Sequence, residues 1–216
     1  MAFGQQRRAE ALAFYPAVGL VLGMVAAAVA WGMDGCCPAF AGVAGIVVLT
    51  ALSASRVRAA RGVPGVATAA LAFAAKLWSV TVLPVPARTA ALLIAPMLGR
   101  WAIVVQCYGG VAGSPERAGL AGQARFREFG WASVAAFAVT LAVADAAGLV
   151  VLVTAAVTTV VLRLHAHRRG RGMTEGLLVA TAELVETAAM VAMVVLALLA
   201  ARHVPGAALA LAGRAR

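Results

Sequence analysis

Long apolar runs, broken by short clusters of arginine, make up most of the chain. Runs long enough to cross a bilayer, by the criterion of roughly twenty predominantly apolar residues, fall at 13–33, 36–54, 64–84, 88–108 and 176–201. A further run from Trp131 to Leu164 is too long for one helix and short for two. Its Ala-Asp-Ala-Ala-Gly segment at 144–148 is a natural hairpin point, which divides it into 131–146 and 148–164. The pattern predicts an all-α, polytopic transmembrane helical bundle of seven spans, or six if 131–164 is one pass, forming a single integral-membrane domain over 1–216. Phe14 to Met33 has no small-residue cleavage site after it, so it reads as the first anchor rather than a signal peptide.

Composition agrees. Hydrophobic residues are 63% and charged residues 12% of the 216, with a mean hydropathy of +0.96; soluble domains are nearer half apolar and a quarter charged. The net charge of +10 carries no RNA- or DNA-binding motif and no aromatic interleaving, so nucleic acid is not the expected partner. The arginines instead follow the positive-inside rule. With the N-terminus cytoplasmic, twelve of the eighteen basic residues fall on the inner side: Arg7, Arg8, Arg56, Arg58, Arg61, Arg117, Arg125, Arg127, Arg163, Arg168, Arg169 and Arg171. Four fall outside, Arg88, Arg202, Arg214 and Arg216, and the alternation holds at every loop only if 131–164 makes two passes. Cys36, Cys37 and Cys107 offer no CxxC spacing and read as small apolar fillers. Gly19-x-x-x-Gly23 and Gly42-x-x-Gly45 are small-residue faces for close helix packing.

Charges inside spans are costly and mark a site or a buried pair. Lys76, Arg100, Asp145, Glu183 and Glu186 are the candidates. Glu183 and Glu186 stand at i and i+3 and share a helix face. Two readings stand side by side: the cations pair with the carboxylates to fix helix register, or they line a polar cavity for an anionic substrate. A carboxylate doublet could also hold Mg²⁺ beside phosphate oxygens. His165 and His167, at i and i+2, point to different faces and read as loop residues.

Five short blocks, in order, resemble the cobalamin synthase family (adenosylcobinamide-GDP ribazoletransferase). They are AFYPAVGLVLG at 13–23; Gly62-Val-Pro-Gly65 with Lys76 eleven residues on; RTAALLIAPMLGRWAIV at 88–104, holding Pro96, Gly99, Arg100 and Trp101; AGLAGQARF at 118–126; and RRGRGMTEGLLVATAELVE at 168–186. The resemblance implies a role in cobalamin biosynthesis, joining α-ribazole or its 5′-phosphate to adenosylcobinamide-GDP with release of GMP. It implies an inner-membrane protein of a bacterium or archaeon, in contact with lipid and other corrinoid-pathway proteins. By the same resemblance Arg100, Lys76 and Glu183 are catalytic candidates, Arg56, Arg168, Arg169 and Thr174 substrate-binding candidates, and Glu175, Glu183 and Glu186 candidate ligands for Mg²⁺.

The chain also departs from the family pattern. Where the family carries an acidic block, His-x-Asp-Gly-x-x-Asp-x-x-Asp-Gly, this sequence reads VVLTALSASRVRAARGVPG, and no carboxylate occurs from Gly35 to Ser114. Glu175 and Gly176 stand where the family has Gly and Asp, and Ala182 where it has Asn. Transfer from a nucleotide diphosphate needs the leaving group's charge neutralised, commonly by a carboxylate-held metal. The departures therefore raise a second reading, a family member that binds corrinoid or scaffolds the pathway without catalysis. A small transporter is a third, disfavoured because no repeat is visible.

Overall fold

A computed structural model of the chain describes residues 11–57, 63–108, 124–168 and 174–203. Of these, 94% are helical, and the one β-type contact among them is an isolated bridge between Tyr108 and Ala124. The elements are α1 (Tyr15–Cys36), α2 (Pro38–Val57), α3 (Val63–Val82), α4 (Val85–Cys107), α5 (Phe126–Arg168) and α6 (Glu175–His203). The protein is an all-α membrane bundle. Tyr15–Cys36, Val85–Cys107, Phe126–Arg168 and Gly176–Arg202 are long and apolar enough to cross a membrane, and Pro38–Leu52 and Ala67–Val82 are shorter apolar helices. Most helices run past the apolar windows, because hydropathy marks the lipid-facing stretch and not where backbone hydrogen bonding stops. The prolines set several ends: Pro16 and Pro86 lie in first turns, where the missing N–H costs nothing.

α4 is the central helix. Its most apolar stretch is 83% buried, against 28–33% for the other three long helices. α1, α5 and α6 pack around it, and α3 closes against α6. Burial on this scale without a water-driven hydrophobic effect needs close backbone approach. The glycines supply it: a Cβ at Gly19 would lie within 3 Å of Pro96 and Met97 backbone atoms, and one at Gly23 would strike the Leu92 and Leu93 backbone.

α5 doubles back on itself. Trp101 Nε1 donates to Ser133 Oγ at 3.1 Å, and Gln106 Nε2 donates to the Thr159 carbonyl at 3.1 Å. Ser133 and Thr159 would be about 39 Å apart along a straight helix, yet they meet α4 residues only about 8 Å apart. The reversal is at Asp145, whose φ of 47° and ψ of −135° leave the helical region; Asp tolerates positive φ better than most residues with a Cβ. Gly148 lets the second arm close, since a Cβ there would lie 2.6 Å from the Thr140 carbonyl oxygen. Asp145 is thus a turn residue and not part of an intramembrane charge cluster.

One end of the bundle carries Arg125, Arg127, Arg163 and Arg168 of the described residues. Arg163 donates to the Val105 carbonyl at 3.3 Å, in the last turn of α4, where a cation also meets the negative end of the helix dipole. Tyr108, just after α4, stacks on Phe129 with ring centroids 4.8 Å apart. The start of α6 also lies at this end, and its Leu178 and Ala182 pack with Ile103 and Val104.

Candidate functional site

Four charged side chains meet in the middle of the bundle. Arg100 comes from α4, Lys76 from α3, and Glu183 and Glu186 from successive turns of α6. Lys76 Nζ donates to Glu183 Oε2 at 2.6 Å and to Glu186 Oε2 at 2.8 Å. Arg100 Nη1 donates to Glu186 Oε1 and, at 3.1 Å, to the carbonyl of Pro96 one turn before it. The order is Glu183–Lys76–Glu186–Arg100, with Glu186 bridging the two cations through its two oxygens.

Local sequence builds this arrangement. Gly99 gives Glu186 its place: a Cβ there would lie 2.6 Å from the Glu186 Cγ and 3.0 Å from the Ala182 carbonyl. Gly19 does the same for the arginine stem, as its Cβ would lie 2.8 Å from Arg100 Cδ. Arg100, Lys76 and Glu186 are buried, whereas the Glu183 side chain is 26% exposed. Two cations and two carboxylates sum to zero formal charge, which is how a low-dielectric interior tolerates them.

The magnesium expectation meets an obstacle here. An ammonium already stands between the two carboxylates a divalent ion would need, and the remaining Glu186 oxygen holds Arg100. Among the described residues, no three His, Cys, Asp or Glu side chains gather closely enough to hold a metal. The Glu175 side chain lies outside them. The quartet as built does not fit Mg²⁺.

Other candidates separate from the quartet. Thr174 is the N-cap of α6: its Oγ1 accepts from Leu177 N at 3.3 Å, the role Thr commonly fills at a helix start. Arg168 is exposed at the end of α5. Arg56 falls in the last turn of α2 with its side chain outside the described set, and Arg169 lies outside the described residues altogether. His165 and His167 are exposed. Of the cysteines, Cys107 is buried as expected, but Cys36 and Cys37 are exposed at the α1–α2 junction and fill no core.

Sequence reasoning missed three polar groups. Arg88 donates to Asp34 across 54 residues. Asp34 is the one carboxylate between Glu10 and Glu116, so charge balance was an available signal. Glu128 is buried in the first turn of α5 and accepts the Arg125 backbone N–H at 3.0 Å, the reach-back half of a capping box. Gln106 is fully buried and ties α4 to the second arm of α5.

A helical bundle with a self-neutralised charge cluster at its centre defines an integral-membrane protein built around a polar core. The family model described as cobalamin-5-phosphate synthase matches residues 58–195, a segment that holds all four members of the quartet. The chain belongs to that family, and its place is in cobalamin biosynthesis at the membrane, among transferases that act on corrinoids. No curated protein and no solved structure matches it.

Proposed function

We propose that the protein joins α-ribazole or α-ribazole 5′-phosphate to adenosylcobinamide-GDP with release of GMP, and that its turnover is slow. The observation that carries this reading is the family match over 58–195, which includes Lys76, Arg100, Glu183 and Glu186. Substrate binding falls to the basic end of the bundle, where Arg168 is exposed and can donate to a diphosphate; Arg56 and Arg169, proposed beside it from the sequence, lie outside what the structure describes of side chains. That end faces the cytoplasm, with the N-terminus inside and seven crossings, because twelve of the eighteen basic residues fall in the sequence segments assigned to that side. The quartet's part is to hold α3, α4 and α6 in one register beneath that surface. Glu183, its partly exposed member, gives one oxygen to Lys76 and is the carboxylate whose other oxygen is offered to a substrate hydroxyl.

Slow turnover follows from charge. The stretch where the family carries its acidic block has only arginine, and the quartet's carboxylates are already engaged by Lys76 and Arg100. The same observation favours the second reading, a non-catalytic corrinoid-binding member. GMP release from adenosylcobinamide-GDP, measured on membranes bearing the chain with and without magnesium, separates the two. Slow release that rises when an Asp-Gly-x-x-Asp-x-x-Asp-Gly insert follows Thr50 supports the transferase. Corrinoid retention without GMP release, insert or not, supports the second reading.

A further inference from the structure

The end of the bundle opposite the basic residues carries a cleft of about 840 Å³. Asp34 at the end of α1 and Arg88 at the start of α4 lie on its wall, and the rest is mainly apolar, including Pro38, Val80, Val85 and Leu198. Arg88 uses one guanidinium nitrogen on Asp34, its one partner among the described residues, and an arginine has five N–H donors. One Asp34 oxygen is engaged in return. Neither side chain is sealed off: they are 10% and 22% exposed. The cleft therefore presents a cation and an anion side by side, with spare donors on one and a spare acceptor on the other.

Its depth is informative. Asp34 and Arg88 each lie within about 5 Å of a helix end. Trp31, Phe40 and Trp78 are exposed at this same end, as in the aromatic belt that marks a membrane–water interface. The charged pair thus sits at headgroup level, and Pro38, Val80 and Val85 of the apolar wall lie at the same helix ends beside it.

We infer that this cleft binds a zwitterionic phospholipid of the phosphatidylethanolamine type, with its phosphate on Arg88 and its primary ammonium on Asp34. A lone anion meets repulsion from Asp34, and a lone cation from Arg88. A phosphate and an ammonium two carbons apart satisfy both groups without parting them, through charge-assisted hydrogen bonds. A choline headgroup has no N–H to give Asp34. The site is independent of the transferase reading.

The test uses the full chain, purified and delipidated, with lipid retention read by native mass spectrometry and by the unfolding midpoint. Phosphatidylethanolamine, phosphatidylcholine and phosphatidylglycerol of matched acyl chains are the probes. Ethanolamine lipid should be retained about tenfold better than the other two, the effect of one charge-assisted hydrogen bond. Asp34→Asn leaves the cleft net cationic and should turn the preference to phosphatidylglycerol. Ala39→Trp fills the cleft from an exposed wall position and leaves the ion pair alone; it should abolish the selectivity while the lipid-free midpoint stays put. Equal retention of the three lipids by the parent overturns the inference, as does unchanged selectivity in Asp34→Asn. Should Asp34→Asn fail to fold, ethanolamine selectivity surviving in Ala39→Trp overturns it alone.

Discussion

Replacing Arg100 with leucine removes one of the two cations that share Glu186. Glu186 keeps Lys76 on one oxygen but loses Arg100 from the other, and the quartet carries a net charge of −1. Breaking a buried pair from one side costs about 3–5 kcal/mol, because a charge is left uncompensated. Lys76 remains as a neighbour, so the low end, about 3 kcal/mol, is expected. For a chain of this size that corresponds to a fall in unfolding midpoint on the order of 6–12 °C. Adding Glu186→Gln removes the stranded charge and leaves Lys76 and Glu183 as a balanced pair. The double variant should therefore recover about 2 kcal/mol relative to the sum of the singles. Arg100→Leu with Glu183→Gln tests the geometry, because Arg100 meets Glu186 whereas Glu183 is reached by Lys76. That pair restores formal neutrality without touching Arg100's partner, so its coupling should be clearly smaller. Midpoints in one detergent for the parent, three singles and two doubles complete the measurement. Equal coupling of Arg100 to both glutamates would mean that net charge alone matters and that the bridge through Glu186 is wrong.

The glycine contacts predict a graded series. Gly19→Ala and Gly99→Ala should each lower stability by about 1–3 kcal/mol, since the added methyl meets backbone or the Glu186 stem, whereas Gly32→Ala, with nothing within 4 Å, should not. Thr174→Ala should cost about 1 kcal/mol through loss of the α6 cap; a large fall in substrate affinity at unchanged stability would show that the hydroxyl serves substrate instead. Single cysteines placed at positions 58 and 169, in a background free of native cysteine, should label from the same side of the membrane, and labelling from opposite sides would refute the proposed topology.

The amino-acid sequence by itself determined the class of protein. Apolar runs of bilayer length leave an all-helical bundle as the only way to satisfy the backbone without water, and the Ala-Asp-Ala-Ala-Gly turn is legible because it interrupts one run at a residue that tolerates positive φ. It also put Glu183 and Glu186 on one face, since that relation lies within a single helix. It marked Gly19, Gly23, Gly42 and Gly45 as packing residues, because glycine inside a span has little other use.

Tertiary structure alone decided who meets whom. The charges in the spans could be listed from the sequence, but not the order Glu183–Lys76–Glu186–Arg100, whose partners are separated by 86 to 110 residues. Periodicity fixes a side chain's direction about its own helix axis. It says nothing of which neighbour that face turns towards. Only the packing around α4 places an ammonium between two carboxylates, which decides for ion pairing between readings that the sequence left side by side. The same holds for Asp34 and Arg88: each reads in sequence as an isolated charge near a helix end, and they become a pair because the ends of α1 and α4 close on one another.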